Sequence, residues 1–227
     1  MQIISEIPFE FDEPALMARA RIEPDSDDAT LFRQLLEMAR SAGRPKAMFA
    51  EMFVDERRGD DVMISGVRFT SRMLRANLDK VERVFPYVAT CGHEMDDVQL
   101  PPGEFLAEFW WDIIKASMLG SANEFLSREL ERRYLLGKTS SMNPGAGDAD
   151  VWPIEQQREL FALLGGVTDG IGVRLTDSFL MMPNKSVSGI RFPAEKDFRA
   201  CQVCRREKCE GRSAPFDEDM WKSIHGT

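Results

Sequence analysis

From Glu104 to Gly137 the chain reads EFLAEFWWDIIKASMLGSANEFLSRELERRYLLG, apolar at helical spacing, free of proline and interrupted only by Gly120. The spacing predicts one long helix, or two in line, closing on Gly137, with Phe109, Ile113, Ala116 and Gly120 on one flank. Ala116, Ser117, Gly120, Ser121 and Ala122 are small, and their expected use is tight packing of the helix on a sheet.

The segments around it supply that sheet. Residues 2–9, 46–54, 62–70 and 87–91 read as strands, with the turn-like DERRGDD between the second and third. Helical patterns cover DEPALMARARI, ATLFRQLLEMARSAG (closing on Gly43) and SRMLRANLDKVERVF. After the long helix, KTSSMNPGAGDADVWP reads as a loop of the length that is usually functional. PIEQQRELFALLGG is a compact helix with Pro153 in its first turn, and GVRLTDSFLMMP and SVSGIRF follow as two strands. Strands and helices do not alternate in a βαβ rhythm, so the expected class is α+β with a mainly antiparallel sheet. The expected organisation is an N-terminal α/β part at 1–83, a core at 84–195 and a Cys-rich tail at 196–227.

Charge and composition remove several functions. The net charge of −9 argues against non-specific nucleic-acid binding, which relies on cations at phosphates. No apolar stretch approaches the roughly 20 residues that span a bilayer. The start MQIISEIPFEFDEP turns acidic before any apolar run develops, so the cytoplasm is the expected location. The chain has 2 histidines, His225 in what reads as a frayed tail, and no G-x-S-x-G elbow or dinucleotide fingerprint. Paired carboxylates such as Asp96 with Asp97, Asp148 with Asp150 and Glu129 with Glu131 read as solvated surface. No catalytic acid–base constellation emerges.

The cysteines are the exception. Cys201, Cys204 and Cys209 are spaced C-x2-C-x4-C among basic residues that favour thiolates. In a cytosolic chain that pattern points to metal more than to disulfides. Cys91 is the expected fourth ligand, with His93 as the alternative. Cysteines with almost no histidine lean towards an iron–sulfur cluster over zinc.

Three segments then resemble one family. LTDSFLMMPNKSVSG (Leu175–Gly189) is similar to the LTES-x-x-M-x-P-x-x-SVSG signature of the cobalamin-dependent methionine synthase activation domain. PYVATCGHEMDD and NPGAGDADVWPIEQQRELFALL are similar to members in which that domain is a separate polypeptide. The resemblance implies a curved, helmet-like α+β fold on an antiparallel sheet. It implies reactivation of methionine synthase or a related corrinoid methyltransferase, in which S-adenosylmethionine methylates cob(II)alamin carried by a partner protein. A flavodoxin or ferredoxin would supply the electron. The chain would then be a component of a methyltransferase system and not an enzyme by itself, the hard chemistry belonging to the cofactors.

Residue by residue, the resemblance places S-adenosylmethionine against Glu124, Asn143, Pro144, Gly145 and Ala146, and the corrinoid against Ser186, Val187, Ser188 and Gly189. The family's loop reads Arg-x-x-Pro-Gly-Tyr. Here Ser141 stands at the arginine and Ala146 at the tyrosine. A guanidinium grips a carboxylate through two charge-assisted bonds, which serine cannot match. The expectation is therefore weakened or absent S-adenosylmethionine binding. The alternative function is a corrinoid-protein docking or electron-transfer module with an iron–sulfur or zinc site.

Overall fold

The computed structural model describes residues 1–147, 152–194, 198–209 and 212–225; Asp148 and Asp150 lie outside the described residues. The chain begins with β1 (Gln2–Ile4), α1 (Glu13–Ala20) and α2 (Asp27–Ala42), and Asp12 and Ser26 cap the two helices by accepting from Ala15 and Ala29 N–H groups. Next come β2 (Lys46–Phe49), β3 (Met52–Arg58), β4 (Asp61–Ile64) and β5 (Val67–Thr70), then α3 (Arg72–Asn77) and β6 (Arg83–Thr90). The long helix α4 (Ala107–Tyr134) leads into β7 (Thr139–Met142). The remainder is α5 (Gln157–Leu164), α6 (Val167–Ile171), the two-residue strands β8 (Arg174–Leu175) and β9 (Met181–Met182), β10 (Ser186–Pro193) and α7 (Glu218–His225).

Eight strands form one sheet. Its path runs β1-β2-β6-β3-β4-β5, with β10 pairing the other edge of β6 and β7 pairing β10. Every pairing among the described strands is antiparallel, as the α+β reading expected. β6 is the axis: from Val84 to Thr90 every residue is buried, because helices cover both faces. On one face Phe85, Tyr87 and Ala89 meet Ala122, Leu126 and Leu130 of α4. On the other, Val88 and Met48 meet Leu164, Val167 and Ile171 of α5 and α6.

The long helix is single and unbroken, and ends with Leu135 in the left-handed conformation at φ 51°. Its buried stripe is Ala107, Trp110, Trp111, Ile114, Met118, Ala122, Leu126 and Leu130, with Ile113 beside it. The flank expected from the sequence is rotated away: Phe109 is exposed, and a Cβ on Gly120 would meet nothing within 4 Å. The close approach occurs instead at Ala122, which is fully buried on the sheet.

Three other expectations are corrected. The pattern SRMLRANLDKVERVF is helical only over Arg72–Asn77, because Arg83 to Phe85 are claimed by ladders to β3 and β10. GVRLTDSFLMMP forms a small hairpin of β8 and β9 and not one strand. His225 does not fray: it ends α7, and its ring stacks on Trp221 at 4.0 Å. No described helix is long and apolar enough to cross a membrane.

Candidate functional site

The Pro-Gly loop and the SVSG strand meet because β7 is laid antiparallel along β10, with Ser141 opposite Arg191 and Met142 opposite Ile190. Asn143, the next residue, fastens the loop to the strand: its Nδ2 donates to Ser188 O at 2.5 Å and to the Tyr87 hydroxyl at 3.2 Å. Tyr87 in turn pairs with the Ser141 hydroxyl at 2.7 Å. Beyond Asn143, Pro144 is buried and Gly145 turns the chain at φ 77°, its N–H donating to the Trp152 carbonyl at 2.8 Å. Glycine suits that turn because side chains disfavour positive φ.

These elements open a cavity of about 510 Å³ between α4, β7, β10 and the C-terminal segment. Asn123, Ser141, Asn143, Ala146, Arg191 and Cys201 are among the lining residues. Two of these residues each carry a buried polar atom without a hydrogen-bond partner among the described residues, Nε of Arg191 and Oδ1 of Asn123. Arg191 is 8% exposed. One of its terminal nitrogens donates to Thr139 Oγ1 at 3.3 Å, and the guanidinium lies 5.6 Å from the centre of the Tyr87 ring. The carboxylate of Glu131 accepts from the Ser127 and Thr139 hydroxyls at 3.3 and 3.4 Å.

Of the residues expected at an S-adenosylmethionine site, Asn143 and Ala146 line this cavity. Gly145 and Ala146 line a neighbouring one of about 440 Å³. Glu124 does not line either: its side chain is 68% exposed, 3.9 Å from Arg128. One residue on a helix is a rotation of about 100°, and it is Asn123 that faces inward. Arg191 was not singled out by its sequence. The signal was present, since a charged residue between Ile190 and Phe192 on a buried strand must have a use.

The SVSG residues are built into the sheet. Ser188 Oγ donates to the buried Gln157 side chain at 2.9 Å, and Ser186 Oγ donates to Pro183 O at 2.8 Å and pairs with the Thr90 hydroxyl at 2.9 Å. Gly189 lies beneath Met142 and Asn143, and Val187 is half-buried. Their hydroxyls therefore position the strand and loop before they could meet any corrinoid.

The four-cysteine site is not assembled. Cys91 N–H donates to Lys185 O at 3.0 Å, at the start of β10. Phe192, which pairs with Ser140 near the C-terminal segment, lies seven residues along that strand, about 23 Å at 3.3 Å per residue. His93 is likewise at the Cys91 end, 3.6 Å from Glu94. Among the described residues no group of three or more His, Cys, Asp or Glu side chains is placed to take a metal ion. What closes the C-terminal cysteine loop is Arg212. Its guanidinium donates to the carbonyls of Cys201 at 3.1 Å, Cys204 at 3.2 Å, Ala214 at 3.3 Å, and also Arg206. Cys201, Cys204 and Cys209 all border the smaller cavity beside Gly145.

The thiols differ in chemistry. Burial pushes Cys91 up to about 12, so it stays protonated. Cys201 is lowered, because the Ser213 N–H and hydroxyl both reach its sulfur at 3.5 Å. A thiol reagent at pH 8 is therefore expected to modify Cys201 first, Cys204 and Cys209 next, and Cys91 only after denaturation. Peptide mapping of the labelled native protein checks this, and early labelling of Cys91 would contradict it.

Residues 127–210 match the family model described as vitamin B12 dependent methionine synthase, activation domain. No match was found among curated protein sequences. Among solved structures, the chain is similar in fold to the MetH reactivation domain bound to AdoHcy, with a TM-score of 0.52 and 19% identity over 85% of this chain and 73% of that one. Residues 127–210 are thus similar to the vitamin B12 dependent methionine synthase activation domain family, and over most of its length the chain has the fold of the MetH reactivation domain.

Proposed function

We propose that this chain acts as a reactivation module for a cobalamin-carrying methionine synthase or a related corrinoid methyltransferase, with S-adenosylmethionine as methyl donor. The observation that carries the reading is Asn143. By bonding Ser188 O and Tyr87, it joins the Pro-Gly loop to the SVSG strand, which are distant in sequence, around one polar cavity. The solved domain of the same fold was captured with AdoHcy, the demethylated product of that donor. The cavity suits such a ligand in its chemistry, since Arg191 Nε and Asn123 Oδ1 are a buried donor and acceptor awaiting partners.

When bound, S-adenosylmethionine supplies a methyl group from its sulfonium, which with one electron converts cob(II)alamin to methylcobalamin. The chain's own part is to hold the donor and to seat on the corrinoid-bearing partner. A flavodoxin or ferredoxin fits the need for a single low-potential electron. The iron–sulfur or zinc variant of the proposal loses its basis with the separation of Cys91 from the other cysteines.

The test mixes the protein with a cob(II)-form methionine synthase, S-adenosylmethionine and a chemical reductant, and follows the visible spectrum. Growth of the methylcobalamin spectrum that requires this chain is expected, together with calorimetric binding of S-adenosylhomocysteine. No binding at millimolar ligand and no spectral change would overturn the reading.

A further inference from the structure

Ser141 occupies the position at which the related loops carry an arginine, which predicted a lost carboxylate grip. The β7–β10 ladder answers that loss, because the residue directly opposite Ser141 is Arg191. Directly opposed side chains of an antiparallel pair share a face, with Cβ atoms about 4.5–5.5 Å apart. The guanidinium thus reaches the same locality from the neighbouring strand.

Arg191 is in an unusual state for a structural arginine. It is 8% exposed, and among the described residues its Nε has no partner and no carboxylate forms an ion pair with it. Thr139 and the Tyr87 ring orient it without supplying a negative charge. A buried cation without a counter-ion is costly, so such a group is accounted for by an anion that arrives. Asn123 lines the same cavity, and its Oδ1 is a buried acceptor without a donor among the described residues. A cation from β10 and an acceptor-bearing side chain from α4, lining one cavity, complement the carboxylate and ammonium of an α-amino acid.

We propose that Arg191 and Asn123 form a receptor for an α-amino acid zwitterion, the guanidinium taking the carboxylate and the amide oxygen accepting from the ammonium. At this site the ligand is the methionyl end of S-adenosylmethionine, so the inference rests on the function proposed above. Arg191 then restores from β10 the grip that Ser141 lacks on β7.

The test is calorimetry on the full chain with S-adenosylhomocysteine, 5′-methylthioadenosine, which lacks the amino acid, and free L-methionine. The wild type is expected to prefer S-adenosylhomocysteine to methylthioadenosine by at least about tenfold. Arg191→Met should weaken S-adenosylhomocysteine by about 10- to 100-fold, the range for a lost charged hydrogen bond or two, and leave methylthioadenosine unchanged. Arg191→Lys, which keeps charge but loses the fork, should fall between. If Arg191→Met fails a thermal-melt check, the lysine variant and the wild-type ligand series decide. Equal affinity for the two nucleosides, or an unchanged Arg191→Lys, overturns the receptor while leaving the function standing. Arg191-dependent binding of methionine without any binding of the nucleosides supports the receptor and overturns the function. Absence of binding by all three ligands overturns both.

Discussion

Replacing Trp152 with alanine is expected to cost about 3–5 kcal/mol, the range for emptying a fully buried aromatic site. Trp152 has no exposed surface and meets Phe69 edge-to-face at 6.3 Å. Its indole N–H donates to Gln156 Oε1 at 3.2 Å, and Gln156 Nε2 donates to Thr70 O at 2.7 Å, so the ring anchors α5 to β5. Its carbonyl receives the Gly145 N–H, which couples this core directly to the Pro-Gly loop. In a chain of this size each kcal/mol shifts Tm by roughly 2–4 °C, so a drop of about 10 °C is expected. Trp152→Phe should recover part of it, because the packing with Phe69 survives while the bond to Gln156 does not. Denaturant titration of the three proteins measures the effect. A loss below about 1 kcal/mol in Trp152→Ala would mean that the loop and this core are not coupled as described.

The parts of the fold visible in the sequence are those specified by neighbours close in the chain. α4 announced itself because its apolar residues recur every third or fourth position, whereas its exact flank did not, since Phe109 and Trp110 are equally apolar and only packing separates them. β7 was hidden inside a loop. TSSM has no strand-like composition, and it is a strand because β10 offers it a free edge. The first part of β6 followed a helical pattern for the same reason, its ladders coming from β3 and β10, one earlier and one much later in the chain. The site divides likewise. Asn143 and Ala146 followed from the loop motif, but Asn123 and Arg191 converge only once α4 and β10 are folded together. The cysteine spacing was compatible with a metal, yet spacing carries no information about Arg212, whose guanidinium gathers the carbonyls of that loop.

Gly189→Ala is expected to disable ligand binding through one added carbon. The glycine needs no unusual φ, so space alone decides. A Cβ there would stand 2.5 Å from Met142 O, 2.6 Å from Asn143 Nδ2 and 3.1 Å from Tyr87 Cε1. The Met142 carbonyl is backbone of β7 and can yield only if the strand moves. Asn143 can rotate, but only by leaving Ser188 O and the Tyr87 hydroxyl, the two bonds that hold the loop. Overpacking of this kind costs about 1–3 kcal/mol, and the displaced Asn143–Ala146 segment should weaken S-adenosylhomocysteine by more than about tenfold. Gly137 is the matched control: a Cβ there meets nothing within 4 Å, and Gly137→Ala should stay within about 0.5 kcal/mol of wild type. Melts and calorimetry on both variants separate stability from binding. If Gly189→Ala is stable and binds as wild type does, the close contact between strand and loop is not what shapes the cavity. If it is stable and binding fails, the glycine's role is to let Asn143 lie flat on the strand, and the SVSG sequence is a packing requirement before it is a recognition surface.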